Sequence, residues 1–488
     1  MENESSVSSK SLLFSIVKYS IATILNALIY GVSLLCVSWF VDPDVYGQVD
    51  IFASTTTLIM NICILGMDQS FIRFFNEPPK PLDKNSLFGA CFGFSSVVLL
   101  ITCLISCIFF PQRVLGIFFA DELATKYLWM LFANAFFSMI GRYINILYRM
   151  DGKIVLYTVE SVANQFFTKL FFLFGTAVKR DFDTLVLFML IGMGGFALVF
   201  LLLNIKRISI SPKILFSEAN RQLLPYGLAL APTAIMLWLN SLFSKVYISK
   251  TIGKGPAGVF SMVSTLANLV ALVQAGFATF WSAFIYSHYN TEQELIKQVH
   301  DYLTLLILEF FCLILAFEDV IFFILGDSYR SGMAVFPIML LIPIFSVIQE
   351  TTVYGISIAK KPIYDTIGIG LSVVGNIGFC VLLAPKFGIY GTCIALAAAN
   401  FVMFLFRTVI AQKLYCSIVS PVRTAAAIGI MFALTFLACV FSGNFPIKFA
   451  VSVGGMAVYF ILYRKQLKNA VVLAKDIVGG FIKKFKNG

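Results

Sequence analysis

Asn134, Ser138, Arg142, Asn145 and Arg149 follow one another at spacings of 4, 4, 3 and 4. That pattern puts five polar side chains along one face of a helix. The rest of the stretch is apolar enough for a membrane core. There an ionisable group costs about 2.5–3.5 kcal/mol on insertion scales and so faces a cavity or a partner. Thr158, Ser161, Gln165 and Lys169 make a second stripe, and Asp50, Ser54, Thr57 and Asn61 a third. Ser241 and Lys245 share a face, with Asn240 and Ser244 beside it. The chemistry on offer is binding rather than bond-making. Arginine grips a phosphate through two parallel hydrogen bonds, and lysine adds a mobile charge. The candidate substrate-binding residues are therefore Arg142, Lys169, Lys18, Lys245, Asn145 and Asn134. The bland alternative is ion pairing: Glu160 would neutralise Arg142, and Glu309, Glu350 or Asp365 would act likewise in the second half. Lys18 and Lys245 would then snorkel to an interface.

Motifs for catalysis or cofactors fail on context. Gly253–Gly258 fits GxGxxG, but no strand precedes it and it sits in a short turn between two apolar runs. Asp181-Phe182-Asp183 imitates a metal-binding DxD in a loop too short for a nucleotide-sugar domain. There is no GxSxG, HExxH or P-loop in the sequence, so no enzyme is expected. With two histidines and no CxxC among ten cysteines, no metal and no cofactor is expected either. The cysteines read as small hydrophobes. A coupling cation of unknown identity is the one small partner left open.

The elements that carry these stripes follow from composition. Of 488 residues, 59% are hydrophobic and 12% charged, and the mean hydropathy is +0.90. No soluble fold hides so much apolar surface, so the solvent is lipid. The net charge of +11 then reflects loops and anionic lipid, not nucleic acid. We expect an all-α integral membrane protein of about 14 spans with no cleavable signal peptide. Two six-helix lobes (1–204 and 223–413), joined by a linker at 205–222, would enclose a central cavity. An additional helix pair (414–464) and an amphipathic tail lying on membrane lipid (465–488) follow. The lobes are expected to be parallel repeats: a shift of 211 residues sets Gly47 on Gly258, and VYGQVDIFAST beside PAGVFSMVSTL. Lys and Arg number 24 in the segments on the N-terminal side and 10 in the opposite loops, which predicts that both termini are cytoplasmic. A cysteine placed at Asp42 in a cysteine-free background should then react with an impermeant thiol reagent on intact cells. Labelling only after lysis would reverse the orientation.

Several segments, taken in order, resemble a known family. They are Val45-Tyr46-Gly47, LGMDQSFIRFF (65–75), YRMDGK (148–153), ILGDSYRSGMAVFPIMLL (324–341), GISIAKKP (355–362) and APKFGIYGTCIALAAAN (384–400). Together they resemble the Wzx-type oligosaccharide-lipid flippases of the multidrug/oligosaccharidyl-lipid/polysaccharide superfamily. The resemblance implies alternating access in a bacterial cytoplasmic membrane. The implied cargo is an undecaprenyl-diphosphate-linked oligosaccharide, a repeat unit of O-antigen, capsule or exopolysaccharide. A polysaccharide polymerase and glycosyltransferases of the same pathway are the implied partners. Many relatives carry Asp-Arg where this chain has Ser244-Lys245, which speaks against an ion-pair role there. The last helix pair is similar to that of lipid II flippases. Two rivals stand beside this reading. A cation-coupled multidrug exporter normally has an acidic residue in its first span, where this chain has Lys18. A membrane polysaccharide polymerase normally has a large outer loop.

Overall fold

The computed structural model describes residues 9–209, 211–215 and 217–467, with side chains from residue 25 onward except 212, 279, 280 and 283. The described chain is helical, with no strand. A two-residue turn joins α1 (Ser9–Phe40) to α2 (Pro43–Ile64), and a bend of 57° leads into α3 (Met67–Phe74). α4 (Lys84–Phe109), α5 (Pro111–Phe118), α6 (Lys126–Met150), α7 (Ile154–Val178) and α8 (Phe182–Leu203) complete the first lobe. After α9 (Pro212–Leu215) come α10 (Asn220–Thr251), α11 (Lys254–Asn268), α12 (Ala271–His288), α13 (Gln293–Ala316) and α14 (Glu318–Ile324). The chain closes with α15 (Phe336–Glu350), α16 (Tyr354–Ile358), α17 (Ile363–Leu414), α18 (Pro421–Val440) and α19 (Phe445–Leu462). "Inner" below denotes the end where α1 starts, and "outer" the end where it finishes.

Among the described residues, ten helices are long and apolar enough to cross a membrane, or eleven if the bent pair α2–α3 is one span. The expected fourteen are not reached by this measure. α1 enters it only over Leu25–Phe40, where its side chains are described, and α7 is diluted by its own polar stripe. The 52 residues of α17 count once, although Gly388 (φ 57°, ψ −132°) breaks them in two.

Local chemistry explains the motifs that led nowhere. Asp181 caps α8 by accepting from the Thr184 amide at 2.9 Å, and Asp183 pairs with Lys126 at 3.1 Å. The Lys179 ammonium and the Thr184 amide hold the Asp181 carboxyl down to about 2. The DxD is thus a helix cap and a surface ion pair. All ten cysteines are free, and seven are buried.

The glycines of the GxGxxG stretch close the seam between the lobes. α2 crosses α11 at the outer end, where a Cβ on Gly47 would stand 2.6 Å from the Gly258 amide nitrogen. A Cβ on Gly258 would overlap the Pro43 carbonyl. The two glycines that the repeat superposes are thus the two that touch, as expected for residues beside a pseudo-twofold axis. Beside them, the Tyr329 hydroxyl donates to the Val41 carbonyl at 2.8 Å, and the Gly326 amide to Ser38 Oγ at 3.1 Å. At the inner end the crossing is Gly66 on Gly227, again backbone on backbone. Gly66 (φ 72°) is one of the residues that turn α2 into α3. Ser70 Oγ adds a bond to the Leu223 carbonyl at 2.7 Å.

Candidate functional site

α1, α2, α6 and α7 turn their polar stripes inward and leave two adjoining chambers in the first lobe. The inner chamber, about 470 Å³, is lined by Arg142, Asn145, Arg149 and Ser138 of α6, and by Glu160, Asn164 and Gln165 of α7. Asn26 of α1 and Gln69 of α3 complete its polar wall. The outer chamber, about 400 Å³, is lined by Lys169, Asn134, Asp50 and Thr57, with Tyr30, Tyr46, Phe172 and Trp238. Ser138 and Gln165 belong to both walls, so the two spaces form one polar path along the lobe.

The alternative in which Glu160 neutralises Arg142 is not what the structure shows. Arg142 pairs with Asp68 of α3, its Nε at 2.9 Å and its Nη2 at 2.5 Å from one carboxylate oxygen. Asp68 is brought there by the bend at Leu65–Gly66. Its side chain is 4% exposed and that of Arg142 is 36%, so the carboxylate holds the guanidinium from behind while its free edge borders the chamber. Glu160 instead accepts from Asn145 Nδ2 at 2.5 Å. Arg149 forms no ion pair among the described residues, is exposed, and lines the inner chamber. It is the most available cation of the stripe. The α6 spacing revealed it, but its position near the helix end hid its importance.

Of the other candidates, Lys169 lies in the outer chamber with its ammonium 4.4 Å over the Tyr30 ring, a cation–π placement. Asn134 is buried and points Nδ2 at Thr56 Oγ1, 3.4 Å away. The ion-pair role discounted for Ser244-Lys245 is present after all. Lys245 Nζ lies 2.7 Å from Asp50 Oδ2 and donates to Ser54 Oγ at 2.9 Å. It neither snorkels nor lines the chamber directly. Lys18 is in α1, but its side chain lies outside the described residues, as does the tail at 468–488. The chamber lining is nearer charge balance than the cationic stripe alone indicates, because Asp68, Glu160 and Asp50 offset most of the cations.

Glu350 accepts from Gln274 at 2.9 Å and from the Tyr354 hydroxyl at 3.1 Å, neutral donors both. Asp365 pairs with Arg407 at 2.8 Å. Both Glu309 oxygens are buried with no hydrogen bond among the described residues. No group of three or more His, Cys, Asp or Glu suited to a metal ion occurs among the described residues.

Two helical lobes of apolar helices, with a polar path along the first, define a multi-pass membrane fold. The particular folds it shares are those of known flippases and exporters. The lipid II flippase MurJ, in an inward closed conformation, superposes with a TM-score of 0.69 at 14% identity, covering 92% of this chain and 100% of that one. The MATE multidrug transporter DinF-BH gives 0.56 at 16% identity, covering 84% and 97%. An inward-facing MATE transporter of the MOP superfamily gives 0.52 at 13% identity, covering 83% and 98%. No family model and no curated protein matches the sequence. At these identities the likeness is one of fold. These neighbours are transporters rather than enzymes.

Proposed function

We propose that the chain is a flippase that moves an undecaprenyl-diphosphate-linked oligosaccharide from the inner to the outer leaflet of a bacterial cytoplasmic membrane. The observation that carries this reading is the inner chamber, where Arg149 and the free edge of Arg142 stand among the amides of Asn26, Gln69, Asn145, Asn164 and Gln165. Guanidinium groups suit a diphosphate, and amides suit sugar hydroxyls, as donors and acceptors at once. A diphosphate with about two negative charges leaving a negative cell interior runs downhill by about 4.6 kcal/mol per 100 mV, in line with the missing P-loop. Multidrug export is the second reading, favoured by the four aromatic rings of the outer chamber; Lys169 in the same wall opposes it for cationic drugs.

Complementation of a flippase-deficient strain, normalised to membrane protein level, tests the proposal. Arg149→Lys should keep partial function, because charge survives while the planar fork is lost. Arg149→Glu should lose essentially all function. Full activity in a well-expressed Arg149→Glu variant would rule out the diphosphate role, and resistance to cationic dyes conferred by the parent chain would favour the second reading.

A further inference from the structure

Only two ion pairs cross between the lobes among the described residues, Lys245–Asp50 and Lys254–Asp121, and both are at the outer end. The second is at the surface. The first is at membrane depth, with Lys245 8% exposed, and its carboxylate belongs to the outer chamber wall. The inner crossing has no such charge: it is Gly66 on Gly227, the Ser70 bond and the ring contact of Phe74 with Tyr226. Asp50 lies one turn below the Gly47–Gly258 crossing, so the pair fastens the stretch of α2 that closes the outer seam. Lys169 stands in the same chamber without an ion-pair partner among the described residues. The chamber wall therefore holds one ammonium group, Lys169, and one carboxylate, Asp50, whose own ammonium partner Lys245 lies behind the wall.

We propose that the outer chamber is a second station for the diphosphate and that its occupation releases Lys245 from Asp50, unlocking the outer seam; this rests on the flippase reading above. A diphosphate offers more acceptor oxygens and about twice the charge of the Asp50 carboxylate. Seated beside Lys169, it competes for Lys245 where a buried ammonium must keep some anion. When Lys245 turns to the cargo, α10 and α2 lose their only charged tie within the membrane. The outer crossing is then held by backbone contact, neutral hydrogen bonds and the surface contacts of Lys254 with Asp121 and of Lys250 with the Gly116 carbonyl. A diphosphate confined to the inner chamber would leave the tie intact. The seam would thus open outward only after cargo has advanced along the path.

Cysteines at Asp44 and Gly255, in an otherwise cysteine-free full-length chain in proteoliposomes, report on the seam, because a Cβ on Gly255 stands 3.0 Å from Asp44 Oδ1. The rate of their oxidative cross-linking should fall about tenfold on adding undecaprenyl diphosphate, equivalent to ~1.4 kcal/mol of bias. Lys245→Met should give the slow rate with or without that probe. The exchange Asp50→Lys/Lys245→Asp should restore the fast rate in its absence, which separates a lost tie from a misfolded protein. Binding of the probe is followed independently by its shift of the melting temperature. Binding with an unchanged cross-linking rate overturns the latch alone, as does a fast, probe-sensitive rate in Lys245→Met. Absence of binding overturns the latch together with the flippase reading.

Discussion

Arg142→Ala should reduce folded protein sharply, and a second substitution, Asp68→Asn, should restore it. Asp68 is almost wholly enclosed, and its carboxylate faces one guanidinium. Removing that partner leaves a charge in a low-dielectric site, a loss of about 3–5 kcal/mol in measured buried pairs. Asp68→Asn on its own should be milder, because Arg142 borders the chamber and water can reach it. Pairing Arg142→Ala with Glu160→Gln should not help, since Glu160 is held by Asn145. Melting temperature in detergent and the yield of monodisperse protein check all four variants. Restoration by Glu160→Gln rather than by Asp68→Asn would show that the pairing has been misassigned.

The second large effect is expected at Lys448. Its ammonium reaches Asp319 at 2.6 Å and Glu318 at 3.3 Å, with Lys448 1% and Glu318 0% exposed by side chain. Lys448→Met therefore strands two carboxylates against α19, and stability should fall by about 3–5 kcal/mol or more. Adding Glu318→Gln and Asp319→Asn should recover most of it. The inner end of the same helix pair is fastened to α13 in the same manner. Arg423 pairs with Asp301, Gln466 donates to Asp301 at 2.9 Å, and His300 meets Thr424 at 3.3 Å. Anchored by charge at both ends, α18 and α19 belong mechanically to the second lobe. A melting transition of Lys448→Met that matched the parent would contradict this account.

Much of this was legible in the sequence, but unevenly. Helical periodicity assigned the polar faces of α2, α6 and α7; the whole α6 face lines the chambers, whereas Ser54 and Asn61 of α2 and Thr158 of α7 do not. The repeat alignment singled out Gly47 and Gly258, which meet at the outer crossing. What periodicity cannot supply is which face meets which. Asp68 is 74 positions from Arg142 and reaches it only through the bend after Ile64. Asp50 and Lys245 were each on a recognised stripe, yet their pairing depends on how two lobes dock. The closer carboxylate in sequence, Glu160, was the natural guess for Arg142, and the amide of Asn145 had taken it. In the span count, α7 drops out because hydropathy penalises a helix that carries a polar stripe, and α17 counts once although Gly388 breaks it.

Both lobe crossings are made of main chain at glycine, whereas the chambers are walled by side chains. Main chain offers substitution little to vary, because any Cβ at Gly258 or Gly66 collides with a carbonyl. Chamber walls are the opposite: exchanging one amide or hydroxyl alters what they hold without touching the crossings. What the chambers hold and how the lobes cross are therefore separate traits in this chain. On the flippase reading proposed above, a lineage could drift from one glycan to another through wall residues alone, while the four crossing glycines keep the two lobes in register.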